Sequence, residues 1–120
     1  MARIWMVLGA LSGLVAVAMA AYASHGLPPE TAALAQTGAS LQAWHALALI
    51  GVGFLAERRR GPLPTLAGLG FALGTLGFCG GVYVRVLTET SLGPVTPLGG
   101  TLLLIGWGLL AVAAALAPET

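Results

Sequence analysis

Four stretches of this chain consist almost entirely of apolar residues, and this feature limits the possible folds more than any other. A helix needs about 20 mostly apolar residues to cross roughly 30 Å of hydrocarbon. Three of the stretches reach that length unaided, and the run 43–56 reaches it when extended back to Ser40. The expected fold is all-α: a four-helix transmembrane bundle, antiparallel and up-down, formed by a single domain of residues 1–120. The predicted spans are about 4–24, 40–57, 63–87 and 98–117.

Composition excludes several classes of protein. Hydrophobic residues make up 58% of the 120 residues and charged residues only 8%, whereas a soluble domain carries roughly 25% charged residues. A net charge of +1 is too small to hold nucleic acid, so no such partner is expected. The single cysteine, Cys79, excludes an internal disulfide and a multi-cysteine metal site. We predict an integral membrane protein surrounded by the lipid bilayer.

The second apolar run has two interpretations. Alone, 43–56 also suits a re-entrant or interfacial segment; we favour a span because only a span explains the distribution of arginines. The connection before it, His25–Ser40, is expected to hold a short surface helix at Thr31–Gln36. We expect Gly38 to end that helix and Ser40 to cap the second span.

The arginines predict the orientation, because short cytoplasmic loops retain positive charge. Arg3 precedes the first span and Arg58–Arg60 link the second span to the third, whereas only Arg85 lies near the opposite side. Both termini are therefore expected in the cytoplasm. The predicted location is the cell inner (plasma) membrane, crossed several times.

The first span has an alternative interpretation as a cleaved signal peptide. Arg3 would form its basic start, and Ala21-Tyr22-Ala23 resembles a cleavage site. The apolar run of about 20 residues is longer than the 7–15 residues of the apolar region of a typical signal peptide. We therefore favour a transmembrane helix.

Glycines at helical spacing predict how the helices pack. In lipid, helices associate largely through small residues that let backbones approach closely. Six glycines form such stripes on the first and third spans: Gly9, Gly13, Gly70, Gly74, Gly77 and Gly81. We expect them to pack the bundle; the alternative is a flat slot for a planar cofactor or for a helix of a partner protein.

Polar residues inside the spans are the default candidates for function, because they are costly in hydrocarbon. Six form the candidate polar cluster or ligand-binding site: His25, Gln42, His45, Tyr83, Arg85 and Trp107. Gln42 and His45 share one helix face, and counting from Glu57 places His45 in the outer third of the membrane. Trp107 lies deep in the fourth span, so its indole N–H needs a partner.

The two histidines have two interpretations. His25 and His45 could bind haem or a metal ion, or each could hydrogen-bond backbone carbonyls and fix a helix end. We favour the second, since two histidines are too few for an ordinary zinc site. No metal, no cofactor and no catalytic residue is therefore predicted.

Three further side chains have simpler expected roles. Trp5 and Trp44 are placed where interfacial aromatic belts occur. Arg85 is expected to extend outward to the membrane surface or to pair with Glu89, four residues later.

Four motifs give the chain a resemblance to a known family. They are Ala23-Ser24-His25-Gly26-Leu27, Gln42-Ala43-Trp44-His45-Ala46-Leu47-Ala48-Leu49, Phe78-Cys79-Gly80-Gly81-Val82-Tyr83, and Thr96-Pro97-Leu98-Gly99-Gly100 with Ile105-Gly106-Trp107. Together they resemble the family called domain of unknown function 423. Its members are small four-helix inner-membrane proteins of bacteria, with a eukaryotic relative named transmembrane protein 256.

The resemblance implies the fold, the membrane location and the importance of five polar residues, but it supplies no reaction. Those residues are His25, Gln42, His45, Tyr83 and Trp107. Cys79 and Gly81 replace two serines of the third family motif, so hydroxyl chemistry there is not expected.

Three functions are compatible with these features. The first is a non-enzymatic structural or accessory subunit that associates with other membrane proteins or with itself. A larger energy-converting complex is one such setting. The second is a redox protein that binds haem or a metal through histidine. The third, a small-molecule or lipid carrier, has the least support, because the inner halves of the spans are almost purely apolar.

Overall fold

The computed structural model describes residues 2–118, which form four α-helices and no β-strand. The helices are α1 (Ala2–Gly26), α2 (Pro29–Arg58), α3 (Leu63–Thr88) and α4 (Val95–Ala115). Each is long and apolar enough to cross a membrane. The predicted all-α, four-helix architecture is confirmed; Met1, Glu119 and Thr120 of the predicted domain lie outside the described residues.

The helices pack in the order in which they follow one another along the chain. α1 packs on α2, α2 on α3, and α3 on α4, so α2 and α3 form the centre of the bundle. The molecule extends 50 Å along the helices, with a flattened cross-section of 26 × 18 Å. Consequently α1 and α4 each leave much of their surface uncovered, as helices that contact lipid do.

Trp5 joins α1 to α3 across the edge of the bundle. Its side chain is only 4% exposed. A Cβ added at Gly68 would lie only 2.7 Å from atoms of the Trp5 ring. Trp5 therefore faces the inside of the bundle rather than lipid, because Gly68 leaves a space that accepts the indole. Its level at the membrane interface stays a prediction. This contact also sets Trp5 level with Gly68, and α1 and α3 run in the same direction.

The second helix differs from its prediction. α2 begins at Pro29 rather than at Ser40 and continues through Gly38 without a break. A Cβ at Gly38 would lie 2.9 Å from side-chain atoms of Tyr83 and Val82. Glycine weakens a helix by about 1 kcal/mol relative to alanine, but here it allows α3 to approach. The predicted surface helix Thr31–Gln36 is therefore the start of α2.

The predicted glycine stripes lie at contacts within the chain. A Cβ at Gly70 would lie 3.1 Å from the Cα of Gly106, and one at Gly77 would lie 3.0 Å from the Cα of Gly99. Gly74 and Gly81 meet Leu103 and Thr96 on the same helix, α4. These glycines therefore allow the backbones of α3 and α4 to touch.

The stripe on α1 contacts α2 less uniformly. A Cβ at Gly9 would lie 2.7 Å from the carbonyl oxygen of Ala46, whereas one at Gly13 would meet only the Ala46 Cβ at 3.8 Å. Close approach between α1 and α2 therefore depends on Gly9 more than on Gly13.

We predict that Gly99→Ala destabilises the bundle. The added methyl carbon would lie 2.6 Å from the carbonyl carbon of Gly77 and closer still to the nitrogen of Phe78, and backbone cannot move aside as a side chain can. Such overpacking costs typically about 1–3 kcal/mol. Unfolding of the purified protein in mixed micelles measures the change.

The matched control is Gly108→Ala on the same helix, where a Cβ meets nothing within 4 Å. Alanine is the better helix former there, so stability should stay equal or rise. Equal stability of the Gly99 and Gly108 variants would contradict close contact between α3 and α4.

Candidate functional site

A chain of hydrogen bonds centred on Gln42 connects three helices inside the bundle. The Tyr83 hydroxyl donates to Gln42 Oε1 at 2.6 Å, and Gln42 Nε2 donates to Ser12 Oγ at 3.1 Å. Gln42 itself is buried. Because the three residues belong to α3, α2 and α1, this network fixes the central helices relative to one another.

His45 forms a second polar connection, from α2 to α4. The indole Nε1–H of Trp107 donates to His45 Nε2 at 2.9 Å, and His45 Nδ1 bonds the carbonyl oxygen of Leu41. A carbonyl can only accept, so the ring proton lies on Nδ1 and the imidazole is neutral. Both ring nitrogens are therefore engaged. Trp107 is 44% exposed, yet its N–H has the partner that its depth required.

Phe71 completes an aromatic cluster around this bond. Its ring lies 5.8 Å from that of His45 and 5.0 Å from that of Trp107, measured between centroids, and it meets Trp107 edge to face. Phe71 has no exposed surface. The cluster shields the hydrogen bond from its surroundings.

The structure does not bring the two histidines together. His25 is exposed at the end of α1, where the neighbouring Ser24 bonds Gln36 of α2. His45 lies nine residues further along α2 than Gln36, or about 14 Å at 1.5 Å per residue. Among residues 2–118, no group of three or more histidine, cysteine, aspartate or glutamate residues could hold a metal ion. The haem or metal alternative therefore lacks a second histidine beside His45.

The level of His45 along the bundle follows from its neighbour Ala46. A Cβ on Gly13 would lie 3.8 Å from the Cβ of Ala46, and Gly13 is at the middle of α1 (Ala2–Gly26). His45 is thus level with the middle of α1. Its position in the outer third of the membrane stays a prediction.

Arg85 does not join either network. It is exposed near the end of α3 and lines a separate small cavity of about 230 Å³ together with Ser91 and Thr96 of the following segment. Of the six predicted polar residues, the structure therefore groups Gln42 with Tyr83 and His45 with Trp107.

A groove lies between α1 and α3, above α2. Its volume is about 400 Å³. Its floor includes four polar side chains, and its rim is formed by apolar residues such as Leu11 and Leu76, which are 56% and 71% exposed. The polar side chains are Ser12, Gln42, Thr75 and Tyr83. The Gln42 network therefore forms part of the groove.

Thr75 is the most unusual residue of the groove. It is 9% exposed, and its hydroxyl oxygen is buried with no hydrogen-bond partner among residues 2–118. An unsatisfied buried polar group costs about 1–3 kcal/mol. Because Trp5 is level with Gly68, Thr75 is level with Ser12 on the opposite wall of the groove.

Sequence reasoning missed Ser12 and Thr75 as site residues. Ser12 is the one polar interruption of the first apolar run, and Thr75 is an isolated hydroxyl within the apolar middle of the third span. That isolation was the available signal. Their common level depends on the register of two helices that are not neighbours in sequence.

We predict that Trp107→Phe destabilises the protein by about 1–3 kcal/mol. The phenyl ring keeps the apolar packing, but His45 Nε2 loses its donor and becomes an unpaired buried acceptor. Unfolding of both variants in mixed micelles tests this, with Trp44→Phe as the control, since Trp44 is 65% exposed. Equal loss of stability in both variants would contradict the assigned role of the Trp107–His45 bond.

Comparison with known proteins identifies the family. The family model described as "Protein of unknown function (DUF423)" matches residues 19–100. The chain is 37% identical to the UPF0382 membrane protein YwdK of Bacillus subtilis over 119 residues, covering 93% of this chain and 96% of the relative. It is 35% identical to the UPF0382 inner membrane protein YgdD of Escherichia coli strain K12 over 117 residues, covering 93% and 89%.

A third relative, the UPF0382 membrane protein SAB0533 of Staphylococcus aureus, is 33% identical over 116 residues, covering 92% of this chain and 94% of its own length. No solved structure matches the chain. These relatives and the four apolar helices confirm the predicted resemblance and the multi-pass, inner-membrane location. The chain belongs to the DUF423 family of membrane proteins.

Proposed function

We propose that this protein is a non-enzymatic membrane protein that binds a lipophilic small molecule in the groove between α1 and α3. The observation that carries the proposal is a polar floor, made by Ser12, Gln42, Thr75 and Tyr83, inside a groove with apolar walls. Of the three functions compatible with the sequence, this is the binding component of the small-molecule or lipid carrier.

The size and position of the groove support a small ligand. Its volume of about 400 Å³ falls within the range of about 300–1,000 Å³ that is usual for small-molecule sites. The exposed rim residues Leu11 and Leu76 place its mouth on the side of the bundle, where lipid lies. A ligand dissolved in the bilayer can therefore enter without crossing water.

The lining also indicates the charge of the ligand. No charged residue lines the groove, and its polar side chains are hydroxyls, an amide and the thiol of Cys79. A charged group buried there would have no counter-ion, at a cost far above that of a neutral polar group. The groove therefore suits a neutral molecule.

The same chemistry supports binding rather than catalysis. The one thiol, Cys79, bonds the backbone carbonyl of Gly38 at 3.5 Å, and neither a histidine nor a carboxylate lines the groove to activate it. His45 is held in its neutral form by Trp107 and the Leu41 carbonyl. The absence of enzymatic activity remains a prediction.

The accessory or self-associating role also remains a prediction. The six glycines on which it was based lie at contacts within the chain, most of them to α4 and α2. They therefore support the fold of one copy, and they supply no free surface for a partner subunit.

We further propose that both termini face the cytoplasm, since Arg58–Arg60 lie in the link between α2 and α3. In a Cys79→Ser background, a membrane-impermeant maleimide should label Thr90→Cys in intact cells. Arg60→Cys should react only after lysis. Labelling of Arg60→Cys in intact cells would reverse the orientation.

We predict that Gly80→Leu blocks ligand binding without damaging the fold. Gly80 lines the groove, and a Cβ at this position meets nothing within 4 Å, so a larger side chain fills the groove without a clash. The protein is purified from its native membrane in polymer-bounded lipid discs. The neutral lipophiles are then extracted from the discs and quantified by mass spectrometry.

The control is Gly108→Leu, equally open but outside the groove. A neutral lipophile should be enriched with the unmodified protein and with Gly108→Leu, and depleted at least about fivefold with Gly80→Leu, a change of about 1 kcal/mol. Identical extracts from all three proteins would contradict the proposed function.

A further inference from the structure

We infer that the ligand of this groove is a neutral lipophile carrying a hydrogen-bond acceptor, a carbonyl or ether oxygen, within its apolar body, and that Ser12 and Thr75 donate to that oxygen. This inference rests on the proposed function and specifies the chemical class of the ligand. It follows from the count of donors in the groove and from their depth.

The direction of the Gln42 network leaves a donor unused at Ser12. Tyr83 donates to Gln42, and Gln42 donates to Ser12 Oγ, which accepts. Among residues 2–118, Ser12 donates no hydrogen bond of its own, and Ser12 lines the groove. The network therefore ends on a hydroxyl proton that needs an acceptor.

Thr75 supplies a second unused donor at the same level on the opposite wall. Its Oγ1 is buried and unpartnered, and Thr75 lines the groove. Rotation about χ1 by one rotamer step, about 120°, changes the direction in which the hydroxyl points. A ligand oxygen between α1 and α3 would thus be an acceptor for two hydroxyls that donate no hydrogen bond among the described residues.

The depth of these donors distinguishes between ligands. Ser12 lies near the centre of α1 (Ala2–Gly26), and Gly13 beside it lies at the middle of the predicted span 4–24. The ester oxygens and head group of a phospholipid lie at the membrane surface, roughly 15 Å from the bilayer centre. The acceptor therefore belongs to a molecule that dissolves within the hydrocarbon core, not to a phospholipid.

A matched pair of ligands tests the inference. The full chain in lipid discs receives either a symmetric eleven-carbon dialkyl ketone or the eleven-carbon alkane, which differ only in the central carbonyl. The protein is purified again in discs at each ligand concentration, and the ligand that remains with it is quantified by mass spectrometry. The amount lost in Gly80→Leu, which fills the groove, is assigned to this site.

We expect the ketone to fill the groove at roughly threefold to tenfold lower concentration than the alkane, the effect of about one hydrogen bond. Thr75→Val, which keeps the side-chain shape, should reduce this preference. It should also leave the ligand-free protein at least as stable, because it removes an unpaired hydroxyl. The control is Thr101→Val, whose hydroxyl bonds the Pro97 carbonyl on α4 away from the groove; it should keep the full preference.

The outcomes separate the inference from the proposed function. Equal binding of ketone and alkane, or a ketone preference that survives both Thr75→Val and Ser12→Ala, overturns the acceptor while leaving a groove that binds lipophiles. Binding of neither ligand in the groove overturns both proposals. A disc phospholipid that stays bound in the groove after either ligand is added overturns the midplane assignment, and a dimer that closes the groove without either ligand assigns it to a second copy of this chain.

Discussion

The structure depends on one constraint: hydrocarbon offers polar groups no water to bond, so each must find a partner within the protein. The few polar side chains inside this bundle follow that constraint closely. Gln42 uses both ends of its amide between Tyr83 and Ser12, and His45 uses both ring nitrogens between Trp107 and the Leu41 carbonyl. The two networks join all four helices, although α2 and α4 are not neighbours in sequence. Two groups inside the helices are exceptions, the indole Nε1 of Trp5 and the hydroxyl of Thr75. Of the two, only Thr75 lines the groove, where a ligand can supply the missing partner.

Small residues determine where the bundle is closed and where it is open. Gly99 and Gly106 bring α4 against α3 along Gly70, Gly74 and Gly77, and Gly9 brings α1 against α2. α1 and α3 meet through the Trp5 side chain at one end, where Gly68 admits it. Beyond that contact they flank α2 without closing over it, and the groove lies in the space between them. Tight packing at two helix pairs therefore leaves a cavity at a third position.

Much of the fold could be predicted from the sequence, because the length of an apolar run and the spacing of glycines are local properties. The start of α2 could not, since Gly38 remains helical owing to its contacts with Val82 and Tyr83 of another helix. For the same reason the sequence placed Gln42 and His45 on one face but could not distinguish their partners.

The site was harder to predict than the fold. Trp107 was expected to need a partner, and only the packing of α4 shows that this partner is His45. Ser12 and Thr75 carry little signal individually, and their meaning comes from lying level on two walls of one groove. The hydroxyl groups that matter are thus separated from the histidines that first attract attention.

The central claim is that an acceptor from outside the chain satisfies Thr75. The most direct measurement is an experimental structure of the protein purified from its native membrane in lipid discs, at a resolution that shows side-chain rotamers. We predict non-protein density in the groove between α1 and α3, with an atom within hydrogen-bonding distance of the Thr75 hydroxyl. An empty or closed groove, with that hydroxyl bonded to a backbone carbonyl of α3, would contradict it.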